Sequence, residues 1–329
     1  MIGLRVAGDS AARLADTALE VTVAGGFGSP GIRLRRRMFD WSEPSRLDGR
    51  TVLLTGGTSG IGRAAAVAMA RLGAAVTIVG RDEGRTATVA EQMTAASGAD
   101  LPVEAAVADL SRLADTRRLV DRFTADHDHL DVLVHNAGAL SATHELTPDG
   151  FEATYATQVL SPHVLTTGLL GLLRAGTGPR VITVSSGGMY AERLDLGTVH
   201  MPAEIYDGVR AYARAKRAQV VMTQEWARRF PGAVQFHSMH PGWADTAGVQ
   251  EALPGFRRVT RPILRTADEG ADTIVWLAGV EPIPAPSGTF WLDRRPRRTV
   301  RLPGTGGSPA EHAQLWDLVC QQSGVRPAR

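Results

Sequence analysis

From residue 51 onward, short runs of uninterrupted apolar residues alternate with longer amphipathic stretches. Thr51–Thr55, Ala75–Gly80, Val103–Ala108, Leu130–His135, Arg180–Ser185 and Ala233–Met239 have the pattern of strands buried on both faces. The segments between them, Ile61–Leu72, Ala114–Ala125, Phe151–Leu173 and Val209–Phe230 among them, have helical length and amphipathic spacing. This alternation predicts an α/β domain over residues 47–293. Its core is a doubly wound parallel sheet with helices on both faces, ending in a strand at Thr289–Leu292.

Two flanks depart from the pattern. Residues 1–46 read as an N-terminal arm: an amphipathic stretch around Leu14 to Val23, the glycine-rich Gly25–Gly31, then Arg33–Arg37 beside Met38, Phe39 and Trp41. One reading of the arginines is a solvated cluster next to an apolar docking patch. The other is weak contact with an anionic membrane surface. Residues 294–329 read as a proline- and arginine-rich C-terminal tail with a last helix near Ala310–Gln321. Arg294–Arg298 lacks the interleaved aromatics of a polyanion-binding stripe and reads as solvated.

Composition narrows the function classes. A length of 329 residues suits one large domain, and a net charge of +2 argues against a nucleic-acid partner. The single cysteine, Cys320, excludes an internal disulfide and fits a reducing compartment. There is no run of eighteen apolar residues and no basic segment leading into an apolar one near Met1, so the expected location is cytoplasmic. His127-Asp128-His129-x-Asp131 sits at a helix–strand junction without a partner set, and no metal site is expected. His237 and His240 read as hydrogen-bonded structural or cleft residues.

The chain has 36 basic residues, and Lys216 is the single lysine. It follows Tyr212 by one helical turn, so a phenol and an ammonium would share one face. Arginine cannot replace a compact, proton-exchanging ammonium. Such a cation is expected to lower the tyrosine pKa and make the phenol a general acid/base. The first strand runs into Thr55-Gly56-Gly57-Thr58-Ser59-Gly60-Ile61-Gly62, a glycine-rich turn that opens a helix. Glycines there allow close approach of a pyrophosphate to the helix N-terminus, the mark of a Rossmann-type dinucleotide site. Arg81 ends the second strand where an acidic residue would bind a ribose 2′-hydroxyl, and Asp82 follows it. The arginine favours NADP(H) over NAD(H), although Ser59 adds no second basic group.

Together, Thr55-Gly-x-x-x-Gly60-x-Gly62, Asn136-Ala137-Gly138, Ser185-Ser186, Tyr212-x-x-x-Lys216 and Pro241-Gly242 resemble the short-chain dehydrogenase/reductase superfamily in order and spacing, over about residues 48–293. Val181–Tyr190, Ser238–Gly248 and Ser287–Pro296 are similar to its dehydrogenase/reductase family member twelve group. The resemblance implies an NAD(P)-dependent oxidoreductase that interconverts an alcohol and a ketone or aldehyde. Tyr212 would exchange the proton, Ser186 rather than Ser185 would orient the substrate oxygen, and Lys216 would hold the nicotinamide ribose. Asp109, with Leu110, would meet the adenine; Asn136, Ala137 and Gly138 would line the cofactor cleft; Pro241, Gly242, Trp243 and Thr246 would approach the nicotinamide.

Two positions depart from the family pattern. Gln158 stands where a helix asparagine supports a relay water, and His135 replaces the first asparagine of Asn-Asn-Ala-Gly. From Ser186 to Tyr212 the separation is 212 − 186 = 26 residues, and the insertion bears Met189, Tyr190, Leu194, Leu196, Met201 and Tyr206. It is expected to shape one wall of a lipophilic pocket. A second wall would come from Trp243 to Leu264, with Leu253, Phe256, Val259 and Ile263. A homo-oligomer is implied by the same resemblance. The rival function is a cofactor-binding sensor or scaffold with little turnover, a reading that Gln158 favours. A polyanion binder using the two arginine clusters ranks third.

Overall fold

All five residues of Thr51–Thr55 are buried, and this strand, β1, lies inside a sheet of eight in the order β3-β2-β1-β4-β5-β6-β7-β8. The computed structural model describes residues 12, 14–20, 22–138, 140–232, 234–245 and 254–328. The other strands are β2 (Ala75–Gly80), β3 (Glu104–Val107), β4 (Val132–His135), β5 (Arg180–Val184), β6 (Gln235–Met239), β7 (Phe290–Leu292) and β8 (Arg295–Arg297). Neighbours are parallel from β3 through β7, and only β8 is antiparallel. The chain reverses its direction of winding between β1 and β4, which opens a crevice at their C-terminal ends.

The helices of the domain divide between the two faces. Short α1 (Val23–Phe27) and α2 (Ser29–Met38) precede the sheet. α3 (Gly60–Arg71), α4 (Glu83–Ser97) and a helix near the end, Ala267–Gly279, bury Ala65, Met69, Met93, Ile274 and Leu277 on one face. α5 (Leu113–Asp126), α6 (Ser161–Gly168) and α7 (Gly208–Arg229) bury Leu119, Phe123, Leu165, Ala218 and Trp226 on the other. We number Ala267–Gly279 α8 and the last helix, Pro309–Ser323, α9. α9 packs Leu315, Trp316 and Val319 into the α6–α7 side.

Three expectations are corrected. The helix expected over Phe151–Leu173 is broken: a π-helical turn at Ala156–Leu160 leads into α6, and Leu169 separates α6 from a further short helix, Leu170–Ala175. The sheet crosses the boundary expected at 293/294, because β7 and β8 form a hairpin through Asp293 and Arg294, both at positive φ. The arginines at the two flanks do not form uniformly solvated clusters. Arg35 is fully buried, Arg294 makes a bidentate pair with Asp272, and Arg297 bonds Asp16. Phe39 and Trp41 lie under the guanidinium groups of Arg295 and Arg294. Charge complementarity within the chain has folded both flanks onto the domain.

Candidate active site

The crevice between β1 and β4 is built from backbone held by side chains. The Thr55 hydroxyl donates to the Val134 carbonyl at 3.2 Å and accepts from the amides of Asn136 and Ala137 at 3.0 and 3.1 Å. The Asn136 amide donates to the carbonyls of Thr55 and Gly56 at 3.1 and 3.0 Å. The end of β4 thereby clamps the turn that follows β1. Gly56 has φ 68° and lies so close to Ala137 that a Cβ would stand 2.8 Å from its Cα. A Cβ on Gly62 would overlap both the Gly56 carbonyl and the Asn136 amide. The turn delivers the chain to the N-terminus of α3, whose N-cap, Ser59, makes no side-chain capping bond. The first amides of α3 can therefore serve an anion, with Thr58 and Ile61 beside them. Gly62→Ala is expected to push this turn aside and weaken dinucleotide binding at least about tenfold, which a fluorescence titration would measure.

Gly80, at the end of β2, packs against this turn: a Cβ there would stand 2.8 Å from Thr58 Cγ2. Arg81 follows and is exposed. Asp82 caps α4, its carboxylate accepting the Arg85 amide at 2.7 Å. Asp109, past β3, accepts the amide and hydroxyl of Ser111 at 3.0 and 2.7 Å, and Leu110 is buried next to it.

The reacting groups expected from the sequence meet at the ends of β5 and β6. Asp207 caps α7, which carries Tyr212 and Lys216 one turn apart. Ser185 is buried behind the cleft and donates to the Lys216 carbonyl at 3.0 Å, tying α7 to β5. Ser186 caps the 3₁₀ turn Gly187–Tyr190 and stands beside Tyr212. The Lys216 ammonium donates to the Val184 carbonyl at 2.8 Å and lies 5.2 Å from the centre of the Tyr212 ring.

The expected lowering of the tyrosine pKa is not what this arrangement produces. Burial pushes the Tyr212 phenol up, and the adjacent Ser186 hydroxyl only partly offsets that. Burial also pushes Lys216 down to about 7. Lys216 is buried and Tyr212 half-buried, and the loss of water favours the neutral form of each.

Gln158 is fully buried within the π-helical turn and packs against Gly138. Its carbonyl accepts from the Gln219 side-chain amide at 2.7 Å. The departure from asparagine is therefore accompanied by a second glutamine on α7. His135 is a core residue, bonded to Thr166 at 2.8 Å and held neutral by burial, which moves its pKa to about 3. His237 accepts from the Trp291 indole at 3.2 Å.

The substrate side differs from expectation. Met189, Tyr190, Leu194 and Met201 are core residues and not a pocket wall, while the Tyr206 hydroxyl donates to the Ser141 carbonyl at 3.2 Å. Thr246 and Leu253 lie outside the described residues, as do the side chains of Phe256 and Val259. Of the expected nicotinamide-side group, Pro241 accepts Arg265 through its carbonyl at 3.1 Å, Gly242 has φ 79°, and the Trp243 amide donates to the Phe27 carbonyl at 2.8 Å. Sequence reasoning missed Phe27, Arg265 and Asp293. Arginine is common throughout this chain, so nothing marked these particular ones as buried.

Residues 50–255 match the sequence profile described as short chain dehydrogenase. The chain is 41% identical over 278 residues to human dehydrogenase/reductase SDR family member 12, covering 84% of this chain and 87% of that protein. It is 31% identical over 267 residues to mouse retinol dehydrogenase 14, covering 76% and 80% of the two chains. A short chain dehydrogenase from Shigella flexneri 2a, solved with NADP, superposes with a TM-score of 0.60 at 26% identity, over 75% of this chain and 98% of that one.

Proposed function

Since this chain belongs to the short-chain dehydrogenase family and is an NAD(P)-dependent oxidoreductase, we propose that it reduces a lipophilic aldehyde or ketone with NADPH, Tyr212 giving the proton. The observation that carries this reading is the grouping of Ser186, after β5, with Tyr212 and Lys216, in the first turns of α7, at the same C-terminal edge of the sheet as a glycine turn shaped for a pyrophosphate.

The bound nicotinamide would supply the hydride. This chain's residues manage the proton and the geometry. Burial keeps the Tyr212 phenol protonated at neutral pH, the state that can donate to a carbonyl oxygen as negative charge develops there. Ser186 offers a second hydroxyl to the same oxygen. The Val184 carbonyl takes one N–H of Lys216, and the remaining N–H groups suit ribose hydroxyls. The first amides of α3 would hold the pyrophosphate. Asn136, Ala137 and Gly138 border the same cleft, with Asp109 and Leu110 at its adenine end.

The coenzyme preference rests on Arg81. Its neighbour Asp82 is engaged as a helix cap, so the exposed guanidinium is the group positioned to meet a 2′-phosphate. Parallel titrations with NADPH and NADH are expected to show tighter NADPH binding. Arg81→Ala should weaken NADPH by about tenfold or more and leave NADH nearly unchanged. Preference for NADH in the unaltered protein would overturn this assignment and keep the oxidoreductase.

The similarity to a retinol dehydrogenase supports a lipophilic substrate. One observation favours the second reading, a cofactor-binding sensor: Gln158, at the position of the family's relay asparagine, is fully buried, and its backbone carbonyl already accepts from Gln219.

A further inference from the structure

The segment Asp16–Met38 is bound to the C-terminal edge of β5–β7 by buried charge. Arg35 donates to Asp16 and Asp293, both at 2.6 Å, and to the Gly26 carbonyl at 2.7 Å. Arg265 grips the same Asp293 with two bonds, at 2.6 and 2.9 Å, and reaches the carbonyls of Pro241 at 3.1 Å and Gly28 at 3.3 Å. Both guanidinium groups and the carboxylate between them are at most 1% exposed. One acidic group thus joins the segment before the domain to the loop after β6.

The knot holds Phe27 in one place. Its ring meets His240 edge-on at 4.4 Å and Trp243 at 6.0 Å, and Arg301 covers it at 5.1 Å. Gly187, next to Ser186, sits tightly against both rings: a Cβ would stand 3.1 Å from the Phe27 ring and 3.0 Å from His240 Nε2. The ring therefore abuts the Ser186–Gly187 backbone on one side and the His240–Trp243 loop on the other. In an open α/β sheet the ligand lies across the C-terminal ends of the strands, at the switch point. With the pyrophosphate at β1 and the adenosine over β2, the ends of β5 and β6 are where the reacting end must lie.

We propose that Phe27 is a positioning residue for the nicotinamide half of the cleft, acting through the Ser186–Gly187 turn and the Pro241–Trp243 loop. This rests on the cofactor reading above. Among the described residues, Phe27 touches the β5–β7 side of the cleft, at the far end from the glycine turn and Arg81. Its loss leaves a void into which the turn and the loop can settle, misplacing both while the adenosine end keeps its shape.

The test separates the two halves with two ligands. NADPH spans the whole cleft, whereas 2′,5′-ADP reaches only its adenosine half. Phe27→Ala is expected to weaken NADPH at least about tenfold and change 2′,5′-ADP less than about twofold. Phe27→Leu restores most of the volume and should weaken NADPH only about threefold with the same selectivity. If the alanine variant does not fold, the leucine variant decides alone. Equal weakening of both ligands, or of neither, overturns the inference. Failure of the unaltered chain to bind either NADPH or NADH overturns the cofactor reading, and this inference with it.

Discussion

Tyr212→Phe should abolish turnover, lowering it by roughly a thousandfold or more, while the NADPH dissociation constant changes less than about twofold. The substitution removes one oxygen and keeps the ring that packs 5.2 Å from the Lys216 ammonium. The cleft keeps its shape and loses the proposed proton donor. Ser186 cannot substitute, because its hydroxyl is a far weaker acid and also accepts the Gly188 amide at 3.3 Å. The assay is loss of NADPH absorbance with a panel of lipophilic aldehydes and ketones. Unchanged activity would remove Tyr212 from the mechanism. A folded parent protein that binds NADPH but reduces nothing in the panel would favour the sensor reading.

Asp293→Asn is the second large effect, and it falls on stability. The carboxylate lies between two guanidinium groups, and all three are shielded from water. Among the described residues, neutralising it leaves Arg265 without a carboxylate and Arg35 with only Asp16, so the expected loss is about 3–5 kcal/mol. For a chain of this size the corresponding fall in Tm is about 4–7 °C. Asparagine is the informative choice because Asp293 sits at φ 55°, which asparagine tolerates as well as aspartate does. The measurement therefore isolates charge from backbone strain. Asp317→Asn, which breaks an exposed pair with Arg326, should leave Tm unchanged and serves as the control. Equal Tm values for the two variants would show that the buried knot contributes nothing particular.

Strands β1, β2, β4, β5 and β6 were legible because burial on both faces demands continuous apolar runs, and these can be counted in a sequence; β3, expected to be buried as well, is largely exposed at the sheet's edge. The glycine turn was legible for a similar reason: each glycine answers a local steric demand, at Gly56 a positive φ and at Gly62 a carbonyl overhead. Ser185 and Ser186 adjoin in sequence yet point to opposite tasks, one clamping α7 and the other facing Tyr212. The family resemblance had implied the second of the two as the substrate-side hydroxyl. The direction of the Tyr212 pKa was not legible, because it depends on how much water the fold removes from both partners.

The flanks show where the sequence falls silent. Arg33, Arg35, Arg36 and Arg37 stand within five positions, and only Arg35 of these is buried. Nothing in the run distinguishes it. Its partners, Asp16 and Asp293, are 19 and 258 residues away. By itself, the sequence determined the fold class, the glycine turn and the Tyr212–Lys216 pair on one helix face, because each is written in local spacing and local steric need; Ser186 was added by the family resemblance. Only the tertiary structure decided that the N-terminal segment packs on the β5–β7 edge of the sheet, because buried ion pairs depend on which distant charges the fold brings together and hides from water.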